Sequence, residues 1–129
     1  MRVEVYFQQL RNLFEASPLV ASFDATYDKR STHEGFVHGE LYFVDGSLLH
    51  IREYVDVETG VDRLLYVYQC LDAAGTLIFR YDNTGHHKKL KLTTYPHHKH
   101  EGGEDNVVAA IAPDFADVLE EIERLIQLD

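Results

Sequence analysis

Tryptophan is missing from this 129-residue chain, cysteine and methionine occur once each, and proline three times. With Cys70 alone, an internal disulfide framework and a thiolate-based zinc site are both excluded. Cys70 lies in the strand-like run Tyr66-Val67-Tyr68-Gln69-Cys70-Leu71 and reads as a small buried apolar residue rather than a nucleophile. No apolar run approaches the roughly 20 residues that a membrane-spanning helix needs. The start Met1-Arg2-Val3-Glu4-Val5-Tyr6 carries no long apolar signal-peptide core, so a cytoplasmic protein is expected. Positive charge is also scarce: 12 Lys and Arg face 22 Asp and Glu, a formal −10. That balance opposes broad coating of nucleic acid or membrane, and any anion must be met locally. What is present is ordinary for a globular chain, 45% hydrophobic and 26% charged, with a length that fits one domain over residues 1–129.

Tyr6, Leu10, Leu13 and Phe14 fall at helical spacing, which predicts an amphipathic helix over about residues 4 to 16, ended by Pro18. From Leu19 the period becomes two: Ala21, Phe23, Ala25 and Tyr27 alternate with Ser22, Asp24, Thr26 and Asp28. A second strand is expected from Phe36 to Val44. Asp45-Gly46 then favours a tight hairpin turn, because both residues tolerate positive φ. Further strands follow over Ser47–Val57, Asp62–Leu71 and Thr76–Tyr81, joined by Glu58-Thr59-Gly60 and Asp72-Ala73-Ala74-Gly75. Short links leave no room for parallel crossovers, so an antiparallel meander of about five strands is predicted. After Pro113 an apolar stripe of Phe115, Val118, Leu119, Ile122, Leu125 and Ile126 marks a second helix. The fold class is therefore α+β, with an N-terminal and a C-terminal helix covering one face of the sheet.

Between the last strand and that helix, residues 83 to about 106 show no sustained period beyond a short strand at Leu90 to Tyr95. Loops of this length in compact domains tend to be functional or disordered. Five of the eight histidines lie here: His86, His87, His97, His98 and His100. From 80 to 100 the charge reverses, with Arg80, Lys88, Lys89, Lys91 and Lys99 against Asp82 alone, so this stretch is +4 and the remainder −14. A basic, histidine-rich island in an acidic chain points to an anionic ligand. Isolated His33, His38 and His50 read as surface or sheet histidines, with His50 sharing a face with Arg52 and Tyr54. Arg80 and Asp82, two apart on a strand, are placed to pair with each other.

Arg52-Glu53-Tyr54-Val55-Asp56, the pair Tyr66 and Tyr68, Phe79-Arg80-Tyr81-Asp82-Asn83 with His86-His87, and Pro96-His97-His98-Lys99-His100 together resemble the TumE-type toxins of bacterial toxin–antitoxin pairs. The resemblance spans the chain from the first helix to the last, and the two histidine blocks at this separation are its specific part. It implies a cytoplasmic toxin with a helix-turn-helix antitoxin as partner and action on RNA; a homodimer stays open. Lys88-Lys89-Leu90-Lys91-Leu92 is more basic than expected of the family.

Three chemistries suit the island. In RNA cleavage, a base removes the ribose 2′-hydroxyl proton, an acid protonates the leaving 5′-oxygen, and a cation meets charge building on the phosphate. Histidine titrates near neutrality and can fill both proton roles. His98 and His100 point to one side of an extended segment, with His97 opposite. They are the expected proton carriers, with His86 and His87 as further catalytic candidates. Arg80 and Lys99 are expected at the phosphate; Tyr81, Tyr95, Arg52 and His97 are expected to bind substrate. No cofactor is needed in that reading. In the metal reading, Asp82, His86, His87, His98 and His100 supply ligands for a transition metal such as zinc. In the third, the island is a non-catalytic module that docks nucleic acid or an acidic protein.

Overall fold

The computed structural model describes residues 1–83, 97–103, 107–109 and 113–128, with the backbone alone at 107–109, 127 and 128. Helix α1 (Val3–Ala16) is followed by strands β1 (Val20–Lys29), β2 (Glu34–Phe43), β3 (Leu48–Asp56), β4 (Asp62–Leu71), β5 (Leu77–Asp82), β6 (His98–Glu101) and β7 (Val107–Ala109). Helix α2 (Phe115–Leu128) follows. The strands form one sheet in sequence order, every neighbouring pair antiparallel. The expected meander is therefore present, and it continues two strands further than the periodicity indicated. His98–Glu101 belongs to the sheet instead of a loop. Strands of four and three residues are too short to carry a readable period, and β6 is set by pairing with β5. The strand expected at Leu90 to Tyr95 lies outside the described residues.

Alternation along the strands separates two faces. Val37, Leu41, Leu49, Ile51, Val55, Tyr66, Tyr68, Cys70, Phe79 and Tyr81 are buried on one of them. Both helices cover this face: α1 contributes Val3, Tyr6, Phe7, Leu10 and Phe14, and α2 contributes Phe115, Val118, Leu119 and Ile122. They meet where Phe14 packs edge-on to Phe115 at 5.1 Å, with Tyr68 6.3 Å beyond. Each such large apolar side chain contributes roughly 1.5–3 kcal/mol on burial. The approach of α1 depends on Gly35 in β2, where a Cβ would fall 2.5 Å from Phe7 Cζ and 2.8 Å from Val3 Cγ2. At the β2–β3 turn Gly46 takes φ 88°, the left-handed conformation anticipated for Asp45-Gly46.

One carboxylate lies within this otherwise apolar face. Glu53 is fully buried, and its two oxygens accept hydrogen bonds from the Tyr6 and Tyr68 hydroxyls. Arg63 donates to the Tyr68 hydroxyl at 3.1 Å, so a polar chain runs from α1 through β3 to the start of β4. Beyond β5, Asn83 extends the ladder with its side chain: its Oδ1 accepts from the Tyr66 amide at 2.9 Å.

Candidate functional site

The other face of the sheet carries the polar residues. Cross-strand register sets Asp24, Glu40, His50, Gln69, Arg80 and His100 in one row from β1 to β6. The neighbouring row runs Thr26, His38, Arg52, Val67, Asp82 and His98. Side chains from both rows, with Phe36, line an open cavity of about 830 Å³. Arg80 and Asp82 form its wall toward β6.

Behind that wall the histidines converge. Asp82, His98 and His100 are each only 1% exposed, while the Arg80 side chain is 21% exposed. His98 Nε2 lies 2.8 Å from Asp82 Oδ1, and His100 Nε2 lies 3.6 Å from Asp82 Oδ2. The guanidinium bridges the two strands: Arg80 Nε donates to Asp82 Oδ2 at 3.1 Å, and Nη2 meets His100 Nε2 at 3.1 Å. Arg80 Nη1 also reaches Gln69 Oε1 at 3.4 Å. A guanidinium can only donate, so His100 Nε2 accepts and is unprotonated there. His98 Nε2 faces a carboxylate oxygen, which favours a proton on that nitrogen. The two rings stand edge to face, 5.0 Å apart. His100 Nε2 thus accepts from Arg80, while His98 Nε2 faces the Asp82 carboxylate at ion-pair distance.

Strand alternation brings His98, His100, Arg80 and Asp82 together and sends three other expected site residues to the opposite face. Lys99, grouped with the histidines for its charge, points toward α2. Its ammonium pairs with Glu121 at 3.2 Å and Glu101 at 3.1 Å and lies 4.8 Å from the Tyr81 ring centroid. Burial pulls the Lys99 pKa down, but hydrogen bonds to Tyr81, Glu101 and Glu121 outweigh it and hold the pKa above the usual lysine range. Tyr81 packs on the core side and donates to Glu121 Oε1 at 2.6 Å, so its ring is engaged beneath the sheet. His97 stacks on Tyr66 at 5.7 Å, with Nδ1 2.8 Å from the Tyr66 hydroxyl; burial, then the nearby charges of Arg63 and His98, lowers its pKa. His97 stands opposite His98 and His100, as period two indicates, and Lys99 and Tyr81 face that same side because neighbours along a strand point to opposite faces. Arg52 does lie on the polar face, exposed at the cavity. His86, His87 and Tyr95 lie outside the described residues.

Phe36, His38, His50 and Gln69 line the cavity without having been singled out as site residues. The usable signal was their period-two spacing with Arg52, but only register joins them to β5 and β6.

Three side chains of this cluster could hold a transition metal. Asp82, His98 and His100 each offer one ligand atom, all within 4.8 Å of one another. Two imidazoles and a carboxylate suit zinc, nickel, copper or iron. The guanidinium of Arg80, 3.1 Å from His100 Nε2, sits where such an ion would enter.

Among the described residues no helix is long and apolar enough to cross a membrane. No curated protein and no solved structure matches the chain. The family model described as Toxin TumE matches residues 10–126, which takes in α1 from Leu10, all seven strands and α2 to Ile126. That match, extending through the paired motifs on β5 and β6, establishes that the chain belongs to the TumE toxin family.

Proposed function

We propose that this toxin acts as an endoribonuclease, with catalysis carried by Arg80 and Asp82 at the wall of the sheet cavity and by His98 and His100 directly behind it. The observation that carries this reading is the Arg80 guanidinium, shared between Asp82 and His100 at 3.1 Å each and exposed to the cavity. A substrate phosphate in the cavity competes for that guanidinium. As Arg80 turns to the phosphate oxygens, His100 Nε2 is released as a base, so binding the anion and unmasking the base are one event. His100 then takes the 2′-hydroxyl proton, and the 2′-oxygen attacks the adjacent phosphorus. The bond from phosphorus to the 5′-oxygen breaks, and that oxygen takes its proton from His98, which Asp82 faces at 2.8 Å. The products are a 2′,3′-cyclic phosphate and a 5′-hydroxyl. A TumE-family toxin works against a cognate antitoxin, which we assign to the helix-turn-helix type.

Metal-assisted cleavage is the second reading, favoured by the three converging ligand atoms of Asp82, His98 and His100 and by Lys99 pointing away from them. The experiment is cleavage of labelled single-stranded RNA by antitoxin-free protein in a strong chelator, with His98→Ala and His100→Ala alongside. Chelator-resistant cleavage that falls about 10²- to 10⁴-fold in either variant is expected. Cleavage abolished by chelator and restored by zinc would transfer the site to the metal reading. If the folded protein cuts no RNA under either condition, both give way to a binding module.

A further inference from the structure

We propose that the β2–β3 side of the cavity is a single-stranded RNA subsite that stacks one base on Phe36 and His38 and favours bases bearing an exocyclic amino group. The inference rests on the RNA-directed reading above and adds where the substrate lies and what part of it is read. Phe36 and His38 point to the same side of β2, their ring centroids 5.7 Å apart. The Arg52 guanidinium stands 5.7 Å from the Phe36 ring centroid. Phe36 is half-buried while His38 and Arg52 are exposed, so an aromatic and cationic surface is presented on a face that neither helix covers. Aromatic rings accept a base only when it is splayed from its neighbours, which a duplex does not offer.

Charge is distributed unevenly along the cavity. Arg52 on β3 and Arg80 on β5 lie two strands apart, roughly 10 Å, in neighbouring cross-strand rows, and provide cations on the way to His100. At the β1–β2 end the acidic lining groups are Asp24 and Glu40. Carboxylates repel a phosphate backbone but accept hydrogen bonds from base amino groups. The backbone is therefore drawn over β3–β5 while the base, stacked across Phe36 and His38, extends past His38 toward Asp24 and Glu40 in the next cross-strand row. Cytosine and adenine satisfy that edge, whereas uracil presents a carbonyl oxygen to a carboxylate.

The test uses 2′-O-methyl hexamers of cytidine and of uridine, which cannot be cut by 2′-hydroxyl attack, titrated against full-length protein by fluorescence anisotropy. Phe36→Ala and Arg52→Ala are compared with Arg124→Ala, an exposed cation on α2. The cytidine hexamer is expected to bind about tenfold more tightly than the uridine hexamer, and to weaken about tenfold in Phe36→Ala. Arg52→Ala is expected to weaken it severalfold and Arg124→Ala to leave it unchanged. Because Arg52 is exposed, its variant decides the matter even if Phe36→Ala fails to fold. Undetectable hexamer binding, equal binding of the two hexamers, or wild-type affinity in Arg52→Ala overturns the proposal. A groove that binds as expected in a protein that cuts no ribo-oligomer leaves this inference standing and removes the nuclease reading. Cleavage with unaltered binding in Arg52→Ala does the reverse.

Discussion

Asp82 is 1% exposed and lies within 4 Å of three basic side chains, Arg80, His98 and His100. A carboxylate removed from water to this degree is stable only when its charge is met, and each partner in turn depends on it. Asp82→Asn keeps the shape while leaving Arg80 without its buried counter-charge. Breaking a fully buried pair costs 3–5 kcal/mol, and the partial exposure of Arg80 puts the expected loss at the low end, about 3 kcal/mol. Urea unfolding measures this directly, and a loss below about 0.5 kcal/mol would mean that the carboxylate does not hold the cluster together. Cys70 is the opposite kind of residue. Burial pushes its thiol up to about 12, so it stays protonated at neutral pH and packs as an apolar group.

At the level of elements, the join between α1 and the sheet has a pH dependence of its own through Glu53. Burial raises the Glu53 pKa above its usual range, against the opposing pull of the Tyr6 and Tyr68 hydroxyls and of Arg63. With a raised value the folded state holds the proton more tightly than the unfolded chain. Its stabilising contribution is then complete below about pH 4.3 and is lost as pH rises through the folded value. Glu53→Gln supplies a permanently neutral side chain that still hydrogen-bonds both tyrosines. Its stability relative to the parent is expected to improve between about pH 5 and about pH 8, read as urea midpoints at each pH. A gap that stays constant over that interval would show that Glu53 does not titrate there. The same elements explain the short reach of the polar site: α1 and α2 occupy one face, so only the face with Arg52, Arg80 and His100 is left to an anion.

For the whole molecule, a net −10 means that RNA is repelled except where cations are locally concentrated. The cavity offers Arg52 and Arg80. If these two carry the phosphate contacts, log K against log salt for a single strand has a slope of roughly −1.4. Removing Arg52 then halves it to roughly −0.7. Measured slopes of about −4 or steeper would instead require a much broader basic surface. An acidic exterior also leaves most of the surface unsuited to RNA and available to a protein partner such as the antitoxin.

The elements were legible in the residues because their signals are local. Helical spacing through Tyr6, Leu10 and Phe14, alternation through Phe23 and Tyr27, and Asp45-Gly46 each report on a few neighbours, and each element formed where they indicated. Period two also put His98 and His100 on one side and, followed strictly, turned Lys99 to the other. By itself the sequence determined the α+β meander, the basic histidine island and the family motifs. Only the tertiary structure decided that Asp82 faces His98 and Arg80 faces His100, and that Arg52, His38 and Phe36 share a cavity with Arg80. β5 and β6 pair across a wide sequence separation, from Asp82 to His98, so their register is not readable from either strand alone. Register is set instead by burying one face of every strand at once, since a slip of one residue would expose Tyr81 and bury Arg80 against the helices.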